Sequence, residues 1–143
     1  MRVFEKTRGE IENKLGLMSD FLKMEYLESC LKQHVDFDVK RFCNTKLADL
    51  YETRNMFSEA ARNMSAVAEI SSTFREKMNA YIKEVELWIR AGYYDRADEA
   101  FRKALACGNL REKEEMKTAV KELYKKQAEA YEKANRNSSA LKT

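Results

Sequence analysis

The chain of 143 residues has no proline, four glycines, one histidine and one tryptophan. Each shortage excludes something. Hairpin turns recruit proline and glycine, so their scarcity argues against an antiparallel β fold of this length. A single histidine, His34, leaves a Ser/His/Asp set without a well-placed base. It also leaves no pair of Glu-x-x-His motifs for a di-iron bundle. The three cysteines, Cys30, Cys43 and Cys107, are far apart and show no Cys-x-x-Cys or Cys/His spacing, so no zinc site is indicated. They read as small buried apolar groups in a reducing compartment. Nothing near Cys43 or Cys107 in the sequence would activate a thiol, and no Gly-rich phosphate loop occurs. No stretch approaches the about 18 apolar residues of a membrane span. The N-terminus, Met1-Arg2-Val3-Phe4-Glu5-Lys6, lacks the apolar core of a signal peptide. The expectation is a cytoplasmic protein that is not an enzyme, with no catalytic residue, no metal and no cofactor.

What is abundant points to helices. Charged residues make up 36% of the chain and hydrophobic ones 44%, a mixture suited to amphipathic helices with wet outer faces. Val3, Phe4, Thr7 and Ile11 give a weak helical stripe before Gly16, and Met18, Phe21, Leu22, Tyr26, Leu27, Cys30 and Leu31 a strong one after it. Asp36 or Asp38 is placed to cap a helix from about Val39 to Thr53. Further helices are expected from Ser58 to about Ile70, from Ser71-Ser72-Thr73 to Ala91, from Tyr94 to Cys107 and from Leu110 to Ala134, with a last turn at Asn135–Ser139.

Three stretches repeat one another. Tyr51, Trp88 and Tyr131 each stand four residues before Asn55, Gly92 and Asn135, and Ala60, Ala97 and Ala140 each stand five residues after. The turn positions are 37 and then 43 residues apart, near the tetratricopeptide period of about 34. Glycine or asparagine tolerates a left-handed turn between antiparallel helices, the aromatic fills the wedge where they diverge, and the alanine permits close approach. The second unit is the fullest, with Gly92, Tyr94, Ala97, Phe101 and Ala104 in sequence.

From about Arg41 onward the chain resembles tetratricopeptide-like helical-repeat proteins. The proline usual between such repeats is missing, which admits cousins of the soluble NSF attachment protein type. The resemblance implies an all-α fold of antiparallel helix pairs stacked as a short right-handed α-solenoid of about six or seven helices. Residues 1–38 would be N-terminal capping helices, and residues 39–143 about two and a half repeats forming one continuous domain with that cap.

The family binds peptides or helices in a concave surface lined by the first helix of each pair. The matching positions are Thr45, Asp49 and Glu52, then Ile82, Glu86 and Ile89, then Lys125, Glu129 and Glu132. Acids outnumber bases there, so a mildly acidic groove for a basic or amphipathic protein segment is expected. At the places of the carboxylate clamp found in chaperone-binding members stand Thr45, Asp49, Lys83, Glu122 and Lys126, which argues against that clamp. Two alternatives stay open. One is RNA binding by the C-terminal helix, because residues 102–143 carry 11 basic and 6 acidic side chains; the interleaving of the acids weighs against it. The other is self-association, with a homo-oligomer formed through the C-terminal half-repeat.

Overall fold

The structure, a computed structural model, describes residues 1–34 and 36–142, the last four of these by their backbone alone. The described chain is all-α, with helices α1 (Arg8–Leu15), α2 (Asp20–Gln33), α3 (Phe37–Thr53), α4 (Phe57–Ile70), α5 (Phe74–Ala91), α6 (Tyr94–Ala106) and α7 (Leu110–Lys142). Short polar side chains set several starts. Asp36 Oδ1 accepts from the backbone N–H groups of Asp38 at 2.8 Å and Val39 at 3.3 Å, opening α3. Thr73 Oγ1 accepts from Glu76 N at 3.1 Å, opening α5. Asn109 and Glu112 cap α7 reciprocally, with Asn109 Oδ1 accepting from Glu112 N at 2.8 Å and Glu112 Oε1 accepting from Asn109 N at 2.9 Å. Each such cap satisfies amide donors that the first helical turn cannot.

The turns between α3 and α4 and between α5 and α6 are duplicates. Asn55 and Gly92 both lie in the left-handed region, at φ 60° and 83°. Met56 N donates to Tyr51 O at 2.8 Å, and Tyr93 N donates to Trp88 O at 2.9 Å. This is the Schellman closure, in which a residue past the helix end reaches back to the last turn. The next helix starts identically in both units, with Ala60 N donating to Met56 O and Ala97 N to Tyr93 O, each at 3.1 Å. Two stretches with limited identity thus form the same hydrogen-bonded turn.

The third expected turn is absent. Asn135, Asn137 and Ser138 continue α7 without interruption. Asparagine and serine cost a helix only fractions of a kcal/mol each, and neither glycine nor proline stands near to break the ladder. Tyr131 therefore projects from a helix surface, 52% exposed, rather than filling a wedge. The side chain of Ala140 lies outside those described. At the other end, Val3 and Phe4 precede α1, and Thr7 is its N-cap. Gln33 fastens that leading segment to α2 through Met1 O and Val3 N, both at 3.2 Å.

Successive helices pack on one another from α2 to α6, and α7 rests chiefly on α5 with a lighter contact to α6. The apolar interior is divided along the chain into three clusters. One holds Ile11, Leu27, Cys30, Cys43 and Leu47 between α1, α2 and α3. A central one holds Ala60, Val85, Leu87, Trp88, Ala97 and Val120. The last holds Val67, Ala68, Met78, Ala104 and Met116. Ala60, Ala97 and Ala104 have no exposed surface, and their small side chains let α4 and α6 lie close against α5. Partitioned interiors of this kind are compatible with a helical repeat, where each unit contacts only its neighbours.

Candidate functional site

The residues singled out for a groove are drawn from α3, α5 and α7, and the structure brings only some of them together. Glu52 sits at the centre of a charge cluster: its Oε2 receives Lys83 Nζ and Arg90 Nη1, each at 3.0 Å. Lys83 also meets Glu86 at 3.3 Å. Burial alone would lower the Lys83 pKa, but the hydrogen bond to Glu52 and the charge of Glu86 outweigh it and raise it. Arg41 to Glu76, at 2.6 Å, forms a second tie between α3 and α5. Glu52 and Glu86 are thus partly neutralised by cations from within the chain, which reduces the negative field they offer a partner.

The remaining groove positions are distributed. Asp49 borders a depression between α1, α2 and α3, beside Lys23 and Lys46. Thr45 lines a second depression of about 290 Å³ with Arg41 and Met64. Ile82 lines a third of about 320 Å³ with Met78, Met116 and Ala119. Asn79 belongs to both of these last two, so they adjoin across α5 and run from α3 to α7. Ile89 is a correction: at 1% exposure it lies in the central core and offers a partner nothing, because the stripe that packs the repeat also passes through its position. Lys125 and Glu129 are exposed on the free length of α7. The basic residues of that helix are partly spoken for, with Arg111–Glu115 at 3.5 Å, Lys117–Glu114 at 3.4 Å and Arg136–Glu132 at 2.9 Å along its own surface.

Among the repeat positions, Tyr51 is half-buried and its hydroxyl donates to Glu28. Desolvation first, and that acid second, push its pKa up to about 12. Phe101 is half-buried against the central cluster. Tyr94 faces α7 instead of a wedge, its ring 6.0 Å from that of Tyr124. Its hydroxyl pKa is raised chiefly by hydrogen bonding to Tyr131.

A different recess, which the sequence reading did not single out, lies between α4, α5 and α6. It encloses about 440 Å³ and is lined by Arg62 and Ser65 of α4, Glu84 and Trp88 of α5, and Arg96, Glu99 and Lys103 of α6. Trp88 is 3% exposed and Glu84 7%. The indole Nε1 donates to Glu84 Oε2 at 2.8 Å, while Glu84 Oε1 is buried without a hydrogen-bond partner. Burial raises the Glu84 pKa; the Trp88 hydrogen bond, Lys103 and the Ser65 hydroxyl oppose it without cancelling it. Ser65 lies close by but does not meet hydrogen-bond geometry with Oε1. The guanidinium carbons of Arg62 and Arg96 stand 5.7 and 5.0 Å from the indole centre. The one sequence signal for this recess is an acid, Glu84, on the apolar stripe of Tyr81, Val85 and Trp88.

Among the described residues, no helix is long and apolar enough to cross a membrane. Compared with known proteins, the chain matches no family model, and no curated protein or solved structure gives a significant match.

Proposed function

We propose that this protein is a non-enzymatic interaction module of the tetratricopeptide-like kind, a short right-handed stack of helix pairs that receives a peptide or helix of a partner protein across α3, α5 and α7. What supports the reading most is the pair of adjoining depressions that meet at Asn79 and span those three helices. Met78, Ile82, Met116 and Ala119 supply an apolar floor, and Arg75, Glu112 and Glu115 a charged rim. That is the layout on which an amphipathic segment seats its anchors. The duplicated turns at Asn55 and Gly92 support the repeat register from which the surface was inferred.

The partner segment is basic or amphipathic. Glu112 and Glu115 stand on the rim, whereas Glu52 and Glu86 already hold Lys83 and Arg90. The decisive experiment is capture of partners from native lysate with identification by mass spectrometry, comparing the wild type with an Asn79→Lys/Glu115→Lys variant, changed at exposed residues of the depressions themselves. A specific partner should be retained by the former and lost by the latter. Equal retention by both would defeat the groove. A filter-binding titration of RNA against salt belongs beside it: a steep negative slope would move the function to nucleic acid.

A further inference from the structure

Among the described residues, the cations of the recess between α4, α5 and α6 have aromatic partners but no acidic ones: Arg62 and Arg96 stand over the Trp88 ring and Lys103 over that of Tyr81. Arg62, Arg96 and Lys103 converge on the recess, and none of the three has an ion-pair partner among the described residues. Elsewhere the interhelical cations Arg41, Lys83 and Arg90 are all paired. At the recess lies a carboxyl group more than nine-tenths buried, one oxygen held by Trp88 and the other with no partner. Glu84 Oε1 has almost no accessible surface, so the three cations, and not this carboxylate, face an incoming ligand. On α5 this recess and the Glu52 cluster are far apart in direction. At about 100° of rotation per residue, Glu84 and Trp88 point roughly opposite to Lys83, Glu86 and Arg90.

We propose that this recess is a second docking site, specific for an acidic peptide segment, whose side-chain carboxylates are held by Arg62, Arg96 and Lys103. The unpaired cations select the ligand class. Arginine and lysine recognise a carboxylate through charge-assisted hydrogen bonds. A single small anion engages these cations through one centre, whereas a segment with several carboxylates can engage each of them. A nucleic-acid backbone needs a continuous basic track, and here the track ends within one recess, at Glu99. The recess volume, about 440 Å³, falls in the range of small-ligand pockets.

The protein provides its own probe, because Trp88 is its single tryptophan and lines the recess. The experiment titrates the full chain with a synthetic Asp/Glu-rich decapeptide and follows tryptophan emission, with inorganic phosphate, free glutamate and an oligonucleotide as parallel arms. A saturable change with the peptide is expected, weakening as salt is added. Arg96→Ala/Lys103→Ala should weaken binding about tenfold or more. Both side chains are exposed, so circular dichroism should show an intact fold. Absence of saturation by the peptide would overturn the proposal. So would unchanged affinity in the double variant, or phosphate, glutamate or the oligonucleotide binding as tightly as the peptide. The Asn79→Lys/Glu115→Lys variant should bind the acidic peptide like the wild type, so the two surfaces can fail separately.

Discussion

Replacing Gly92 by alanine isolates the contribution of the left-handed turn. Gly92 sits at φ 83°, where an L side chain brings Cβ against the following carbonyl at a cost of about 1–2 kcal/mol. Space is not the obstacle. An added Cβ would meet only the Tyr131 hydroxyl, at 4.0 Å, an ordinary contact distance, so the whole penalty is backbone strain. For a chain of this size about 1–2 kcal/mol lowers the melting temperature by roughly 2–8 °C. The control is the same chemical change at Gly9, inside α1 with nothing within 4 Å of the added carbon. There alanine reduces the freedom of the unfolded chain and should stabilise by up to about 1 kcal/mol. Urea unfolding followed by far-UV circular dichroism reads both, with an unchanged slope showing that the midpoint shift is one of stability. A Gly92→Ala variant as stable as the wild type would refute the reasoning, as would a loss at Gly9 equal to that at Gly92.

Other expectations follow from the same packing. Ala97→Leu forces extra volume into a fully buried helix contact and should cost about 1–3 kcal/mol; a neutral result by urea unfolding would remove Ala97 from the close approach of α5 and α6. Asp36→Ala leaves the amides of Asp38 and Val39 without their side-chain acceptor and should cost about 1 kcal/mol in the same measurement. Glu84 gives a pH dependence whose sign is fixed: burial raises its pKa, so the folded state holds this proton more readily than the unfolded chain. Its contribution is fully present below the usual carboxylate range and is lost as pH rises through that range toward the raised value. Glu84→Gln should therefore gain on the wild type from acid to neutral pH, and urea midpoints whose difference is flat with pH would contradict this. A thiol reagent should label Cys107, half-buried, well before the fully buried Cys30 and Cys43 in native protein, with all three reacting in denaturant.

Local chemistry along the chain was enough to place most helix boundaries. Asp36, Thr73 and Gly92 act on residues within a few positions of themselves, and capping is decided at that range. The same holds for the turn at Asn55, whose left-handed backbone reproduces that of Gly92. Where the sequence reading failed, the signal was local but weak. Asn135 and Ser138 break helices only when something else favours a break, and here a long, well-capped α7 carries through them.

The sequence by itself determined that this chain is helical, that two of its turns are copies, and where small residues permit close packing, because propensity, capping and periodicity are properties of neighbours in the chain. Only the tertiary structure decided which charges meet. Glu52 finds Lys83 and Arg90 from 31 and 38 residues away, Ile89 turns into the core, and Arg62, Glu84, Arg96 and Lys103 converge from three helices on one recess. Helix faces are fixed by the rotation and stacking of whole elements, and the position of a residue in the chain carries little of that information.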